Sequence, residues 1–222
     1  MINIDSLAFS YGGDGFQLSI PQLTINEAEK IAIIGPSGSG KTSLLKLISG
    51  ILLPQKGVIS IDNVAINQFS ESERRDYRIS NIGFIFQDFE LLEYLDTQDN
   101  ILHPYRITRA LKLDAEVRDR ANNLAKEMGI QSKMKSLTDT LSQGEKQRTA
   151  ICRAMLPKPK LILADEATGN LDPNNKIRIL DALFRSTDKQ KATLIAVTHD
   201  HELLDRFDRV IDFKDYCLAN AA

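Results

Sequence analysis

The chain has 222 residues, 42% hydrophobic and 26% charged, with 28 basic side chains against 30 acidic ones and a formal net charge of −2. At about 100–200 residues per domain this is long enough for one large α/β domain or one domain with an inserted subdomain, and the proportions exclude disordered and fibrous classes. So even a charge balance gives no sequence-independent attraction to phosphate backbones or an anionic leaflet, and nucleic acid is not an expected partner.

Leu7 to Phe9 and Phe16 to Ile20 read as short strands, and Ile31-Ala32-Ile33-Ile34 as a strand apolar on both faces. A Gly/Ser-rich loop leads from it into the helical run Ser43 to Ser49, with Gly50 where a helix C-cap belongs. Val58 to Ile61 is a further strand. Ser70 to Arg78 is polar and of mixed charge, read as a solvated face with no site. Ile82 to Phe86 is another β-rich run, ending at Gln87.

From Asp88 to about Leu156 the pattern is helical, with Val117, Ala121, Leu124, Ala125 and Met128 on one face and Gly129 at its end. After Pro157 and Pro159 come the strand Leu161 to Ala164, a helix carrying Ile177, Leu180, Leu183 and Phe184, the strand Thr193 to Val197, and the strand-like Val210 to Phe213. Strands alternating with helices predict a mainly parallel sheet covered on both sides. The expected division is a single domain, 1–222, with a core of about 1–87 and 157–222 and an inserted helical part of about 88–156. No run reaches the ~18 apolar residues of a membrane span. The N-terminus has no signal-peptide pattern, so the expected location is cytosolic and any membrane role peripheral. Cys152 and Cys217 have no metal-ligand spacing and read as free thiols.

Chemistry concentrates first in Gly35-Pro36-Ser37-Gly38-Ser39-Gly40-Lys41-Thr42-Ser43. Its glycines let backbone N–H groups approach phosphates, Lys41 reaches β/γ oxygens, Thr42 suits Mg²⁺, and the helix that follows adds its dipole. Leu161 to Glu166 then carries two carboxylates to the C-terminal end of a buried strand, the usual ligand edge of such sheets. Asp165 suits Mg²⁺, directly or through water, and Glu166 suits polarising an attacking water. Alone, an Asp-Glu pair at a strand end is more often a solvated turn; a preceding phosphate loop reverses the odds.

With both elements in place, Leu141-Ser142-Gln143-Gly144-Glu145-Lys146-Gln147-Arg148 resembles the signature sequence of ATP-binding cassette (ABC) ATPases. The resemblance covers nearly the whole chain. Tyr11 is similar to the adenine-stacking aromatic, Gln87 to the Q-loop glutamine, Gly169-Asn170-Leu171-Asp172 to the D-loop, and His199 to the switch histidine. It implies a P-loop NTPase core, an N-terminal antiparallel β-subdomain and an inserted helical signature subdomain. It also implies ATP and Mg²⁺ as cofactors, with Thr42, Gln87 and Asp165 toward the metal, Lys41, Gln87, Glu166 and His199 in catalysis, and Ser142, Gln143, Gly144, Glu145 and Asp172 toward nucleotide. In that family two copies close head to tail and the signature of one completes the site of the other. Separate transmembrane permease subunits hold the cargo specificity and keep the ATPase on the inner face of the membrane.

Local readings stand beside these. Ser142-x-x-Glu145 is a capping box that opens a helix. Tyr11 alone is a half-buried strand aromatic, Gln87 a solvated strand end, and His199 a satisfied core histidine; His103 and His201 read as structural or solvent-facing. The sequence departs from the usual family pattern with Gln143 for glycine, Glu145 for glutamine and Ala167 for proline, none of which removes a reacting group. Ile82 to Leu92, Ala164-Asp165-Glu166 and Gly169 to Asp172 look most like the lipoprotein-releasing, macrolide-export and cell-division ATPases. In that reading Asp88 to Leu92 line a groove for a permease helix, although Phe89, Leu91 and Leu92 serve equally as core. The competing function is a soluble ABC ATPase, such as the iron–sulfur assembly type. A degenerate scaffold fits poorly with Lys41, Asp165, Glu166 and His199 all present.

Overall fold

The structure is a computed structural model that describes residues 1–12, 16–167 and 173–216. Two sheets form its frame. The first is antiparallel: β1 (Ile2–Ser10), β2 (Gln17–Ile25), β4 (Lys56–Ile61) and β5 (Val64–Ala65) stand in the order β2-β1-β4-β5. The apolar residues of β1 and β2 alternate except at Asp5-Ser6 and Pro21-Gln22, where two exposed residues intervene, and β1 shifts register against β4 between Asp5 and Ala8; Ile2, Ile4, Leu7, Leu18, Ile20 and Ile25 are thus buried in one core.

The second sheet is parallel, in the order β6-β7-β8-β3-β9: β3 (Lys30–Ile34), β6 (Ile82–Ile85), β7 (Leu161–Asp165), β8 (Thr193–Val197) and β9 (Arg209–Asp212). Strands β6, β7 and β8 are buried at every position. Such continuous apolar runs are what a sheet covered on both faces requires. The α/β class read from the sequence is the architecture found.

The helices are α1 (Lys41–Ile48), α2 (Glu71–Asn81), α3 (Thr97–Leu102), α4 (Ala115–Glu127), α5 (Gln143–Met155) and α6 (Pro173–Gln190). Helix α1 ends where expected, with Gly50 at φ +67 just past its cap. Helix α5 crosses β6 so closely that a Cβ on Gly83 would sit 2.6 Å from the Ala154 carbonyl oxygen, so only glycine fits there. One apolar cluster joins the antiparallel sheet to α1, β3 and one face of the parallel sheet. A second gathers α3, α4, α5 and α6 against the other face.

The solvated face read at 70–78 is carried by a helix: Ser70 and Glu73 form a reciprocal capping box and α2 runs to Asn81 with no residue buried. One reading needs correction. In α6 the inward face is Ile179, Leu180 and Leu183, at 1%, 4% and 1% exposure, whereas Ile177 is 47% exposed. A helix advances 100° per residue, so 179 and 183 share a face that 177 leaves.

A phosphate cradle at the edge of the parallel sheet

Strands β3, β6, β7 and β8 run in one direction, so their C-terminal ends share an edge, and each carries a motif residue just beyond its end. The Gly-rich loop follows β3, Gln87 follows β6, Asp165 and Glu166 close β7, and His199 follows β8. Cross-links between strand ends hold the edge: Glu166 N–H donates to the Val197 carbonyl at 3.1 Å, and Thr198 N–H to the Ile33 carbonyl at 3.1 Å. A cleft of ≈ 570 Å³ results, lined by Tyr11, Phe16, Ser37, Gly38, Gly40, Lys41, Thr42, Ser43, Gln87, Glu166 and His199.

Within the loop the Lys41 ammonium donates to the carbonyls of Gly35 at 2.9 Å and Pro36 at 2.7 Å. The side chain is buried and folded back over the loop, next to the backbone N–H groups at the start of α1. That helix start concentrates unsatisfied N–H groups and positive dipole, and so favours an anion.

The carboxylates differ in setting. Asp165 is 5% exposed, its Oδ1 lacks any hydrogen-bond partner, and Thr42 supplies a side-chain hydrogen bond to the group. Burial pushes its carboxyl above the usual range, and the Thr42 bond opposes that; the Glu166 charge raises it further, while Lys46 and Lys41 lower it. An orphaned buried carboxylate oxygen beside a threonine hydroxyl at a phosphate loop fits Mg²⁺, which takes one or two protein oxygens and completes its shell from phosphates and water. Among the described residues no cluster of three or more His, Cys, Asp or Glu side chains could cage a metal without such help.

Glu166 has φ +47, a left-handed conformation costing ~1–3 kcal/mol for a non-glycine residue and typical of functional sites. Ala167, where the motif often has proline, is buried at 8% exposure. His199 Nε2 lies 2.7 Å from Glu166 Oε1, so the turn aims the carboxylate at the histidine across the cleft.

Tyr11 is 60% exposed at the cleft mouth and shares a 2.9 Å hydrogen bond with the Ser43 hydroxyl. It packs edge-on against Phe9 at 4.9 Å and tilts over Phe16 at 6.0 Å. Phe16, read from sequence only as a strand residue, is the wall that was missed: a Cβ on Gly40 would lie 2.4 Å from its ring, so Gly40 is needed for the ring to lie on the loop.

The signature lies elsewhere. Ser142, Gln143, Gly144 and Glu145 are not among the residues lining this cleft; Gln143 borders a smaller one, with Asp88, Phe89 and Lys146. Ser142 N–H and hydroxyl both donate to Glu145 Oε2, at 2.8 and 2.9 Å, and Glu145 N–H returns a bond to Ser142 Oγ at 3.4 Å. The bond from the Ser142 backbone holds the Glu145 carboxyl below its usual range against the opposite push of burial, with help from the Ser142 hydroxyl and Lys133. Gly169, Asn170, Leu171 and Asp172 of the D-loop lie outside the described residues, as does Cys217. Cys152 is fully buried, and burial drives its thiol far above the ordinary value, which makes it inert.

A Gly-rich loop between a buried strand and a helix, with an acidic strand end beside it on a parallel sheet, defines a P-loop nucleoside triphosphatase. The family follows from comparison with known proteins. The chain belongs to the ABC transporter family, whose model, described as "ABC transporter", matches residues 18–169. It is 36% identical to the lipoprotein-releasing system ATP-binding protein LolD of Legionella pneumophila (strain Lens), over 85% of this chain and 82% of that one. It is 34% identical to LolD of Bacteroides thetaiotaomicron over 97% of both chains. The dimeric post-hydrolysis state of the ATP-binding cassette MJ0796, bound to ADP and Pi, superposes with a TM-score of 0.86 at 30% identity, covering 96% and 94% of the two chains. CbiO1 of Clostridium perfringens, part of the ABC transporter complex cbiONQ, gives 0.83 at 30% identity, covering 95% and 83%. The chain is thus an ATP-binding, ATP-hydrolysing subunit of an ABC transporter. Among its described residues no helix is long and apolar enough to cross a membrane.

Proposed function

We propose that two copies of this chain hydrolyse Mg·ATP in paired clefts, each made from the strand-edge cradle of one copy and the Ser142–Glu145 signature of the other. The turnover drives lipoprotein release or a related export through separate membrane-spanning subunits, which hold the chain on the cytoplasmic face of the membrane. The observation that carries the reading is the joint placement of Thr42, Asp165 with its unpartnered oxygen, and the Glu166–His199 pair on one edge.

The chain's own groups have distinct tasks. Lys41 exchanges the Gly35 and Pro36 carbonyls for phosphate oxygens, and the N–H groups at the start of α1 hold the others. Thr42 and Asp165 would hold Mg²⁺, with Gln87 toward the metal or the attacking water. A metal held there would supply neutralisation of the charge that develops on the phosphates. Glu166 accepts the proton of the attacking water, and its contact with His199 fixes its direction until a γ-phosphate takes the imidazole's bond. Tyr11 offers its face to the adenine and Phe16 walls the same mouth. Ser142 and the backbone beside Gly144 contact the γ-phosphate from the opposing copy, joined by Asp172.

The lipoprotein-releasing names of the relatives support the export assignment. For the permease, Phe89 is buried at 8% and acts as core, while the groove it borders, with Asp88, Leu91, Glu93 and Lys146, is the surface this reading gives to the permease helix. The test is hydrolysis by the purified chain with Mg²⁺ beside Glu166→Gln, with size exclusion of both in ATP. The expected result is a loss of ~10²–10⁴-fold in turnover with ATP binding retained, and an ATP-trapped dimer in the variant. A wild-type rate in the variant would remove Glu166 from the chemistry.

A further inference from the structure

Immediately after Gln87 the backbone turns through two consecutive non-glycine residues in the left-handed region, Phe89 at φ 63 and Glu90 at φ 49. Such a pair persists only where its surroundings over-determine it. Local bonds are few: Phe89 N–H to the Phe86 carbonyl at 3.2 Å and Glu90 N–H to that of Asp88 at 2.6 Å. The remaining restraint comes from far along the chain. Arg153, in the last turn of α5, donates through Nη2 to the Phe89 carbonyl at 2.5 Å and through Nη1 to the Glu90 carbonyl. On the other side Asn100 of α3, fully buried, accepts from Leu92 N–H at 2.8 Å and donates to its carbonyl at 3.0 Å.

We propose that Arg153 is a positioning residue for Gln87, its guanidinium clamping the two successive carbonyls beyond the glutamine and so tying the cleft to the helix that begins with the signature. The rigid planar fork gives each of the two neighbouring carbonyl oxygens its own nitrogen and so fixes their separation and direction, whereas the single nitrogen of a lysine at the end of a flexible stem fixes neither. The side chain is half-buried; burial lowers its pKa to about 10, with Glu90 opposing, and it stays cationic at neutral pH. Any displacement of α5 as a second copy docks on Ser142 therefore acts on the backbone that sets the direction of Gln87. The inference rests on the proposed role of Gln87 at the metal or the water. A plain structural role for Arg153, as a cation favouring a helix C-terminus, would make no connection to that residue.

The experiment compares the full-length chain with Arg153→Met, Arg153→Lys, Gln87→Ala and the double variant Gln87→Ala/Arg153→Met, by amide hydrogen exchange and by ATP hydrolysis. In Arg153→Met, exchange over residues 87–92 should speed by about tenfold or more, with 41–48 and 161–165 keeping wild-type protection. Its kcat should fall by about tenfold with KM for ATP within about twofold, and Arg153→Lys should resemble it. The double variant should be no slower than the slower single one, because both changes remove the same placement. Multiplied losses in the double variant, or unaltered exchange over 87–92, would overturn the proposal. A wild-type rate in Gln87→Ala alone would instead overturn the role of Gln87, and the exchange result would then decide the clamp by itself.

Discussion

Helices α2 and α5 begin with the same device. In each a serine hydroxyl accepts from the backbone N–H three residues on, at 3.3 Å for Ser70 and 3.4 Å for Ser142, and in each a glutamate accepts from the serine N–H at 2.8 Å. Geometry alone does not separate them, yet only one is proposed to touch a nucleotide. The difference lies in the next residues and in what the helix is tied to. Ser70 is followed by Glu71 and Ser72 and starts a helix with no buried residue, whereas Ser142 is followed by Gln143 and Gly144 and starts one whose far end grips the Q-loop. A capping box shows where a helix begins; the second task is proposed only for the one with bare backbone beside it.

Substitutions at the two boxes test that contrast, the largest effect first. On the proposed pairing, Gly144→Asp should reduce ATP hydrolysis by about 10²-fold, by placing a carboxylate at the position assigned to the γ-phosphate of the other copy. Folding should survive, because the nearest atom to a new Cβ is the mobile end of Arg148 at 3.4 Å. Near-normal turnover in Gly144→Asp would make the two helix starts equivalent. Tyr11→Ala should weaken ATP binding by about tenfold, measured by titration with a fluorescent nucleotide, if its exposed face stacks on the base.

Ser70→Ala and Ser142→Ala should lower Tm by similar amounts, about 2–4 °C, since each removes one cap. Only Ser142→Ala should also slow hydrolysis, and equal kinetic effects would erase the distinction. The smallest effect is on acid stability. Both glutamates are held below their ordinary value near 4.5, Glu73 first by the Ser70 hydroxyl and Glu145 first by the Ser142 backbone. A lowered folded-state pKa gives stability that is fully present above the ordinary value and lost as pH falls through the folded one. Between about pH 5 and 3 the Tm of Glu145→Gln should therefore fall less steeply than that of wild type. Parallel curves would mean that the box contributes nothing to acid sensitivity.

Much of the cradle was legible because its parts are local. Gly35 to Thr42 and the Asp165-Glu166 pair each sit beside an apolar run that reads as a buried strand, and their shared edge follows from parallel order. Helix α2 was passed over although Ser70 and Glu73 carry the signal read at Ser142 and Glu145; with no apolar stripe behind it, the cap looked like mere polarity. Ile177 misled because an apolar residue beside a helix's core face is indistinguishable by composition. Phe16, Asn100 and Arg153 had no signal at all. Their tasks depend on partners brought together by the fold, such as the Glu90 carbonyl for Arg153 and the Gly40 backbone for Phe16.

The most direct test of the shared cleft mixes two disabled variants of the full chain, Lys41→Ala and Gly144→Asp, each strongly impaired alone. In a head-to-tail pair of one each, the intact cradle of the Gly144→Asp copy faces the intact signature of the Lys41→Ala copy. The mixture should hydrolyse ATP well above either variant alone, with a maximum near equal proportions. A mixture no more active than its components at any ratio would contradict a site built from two copies.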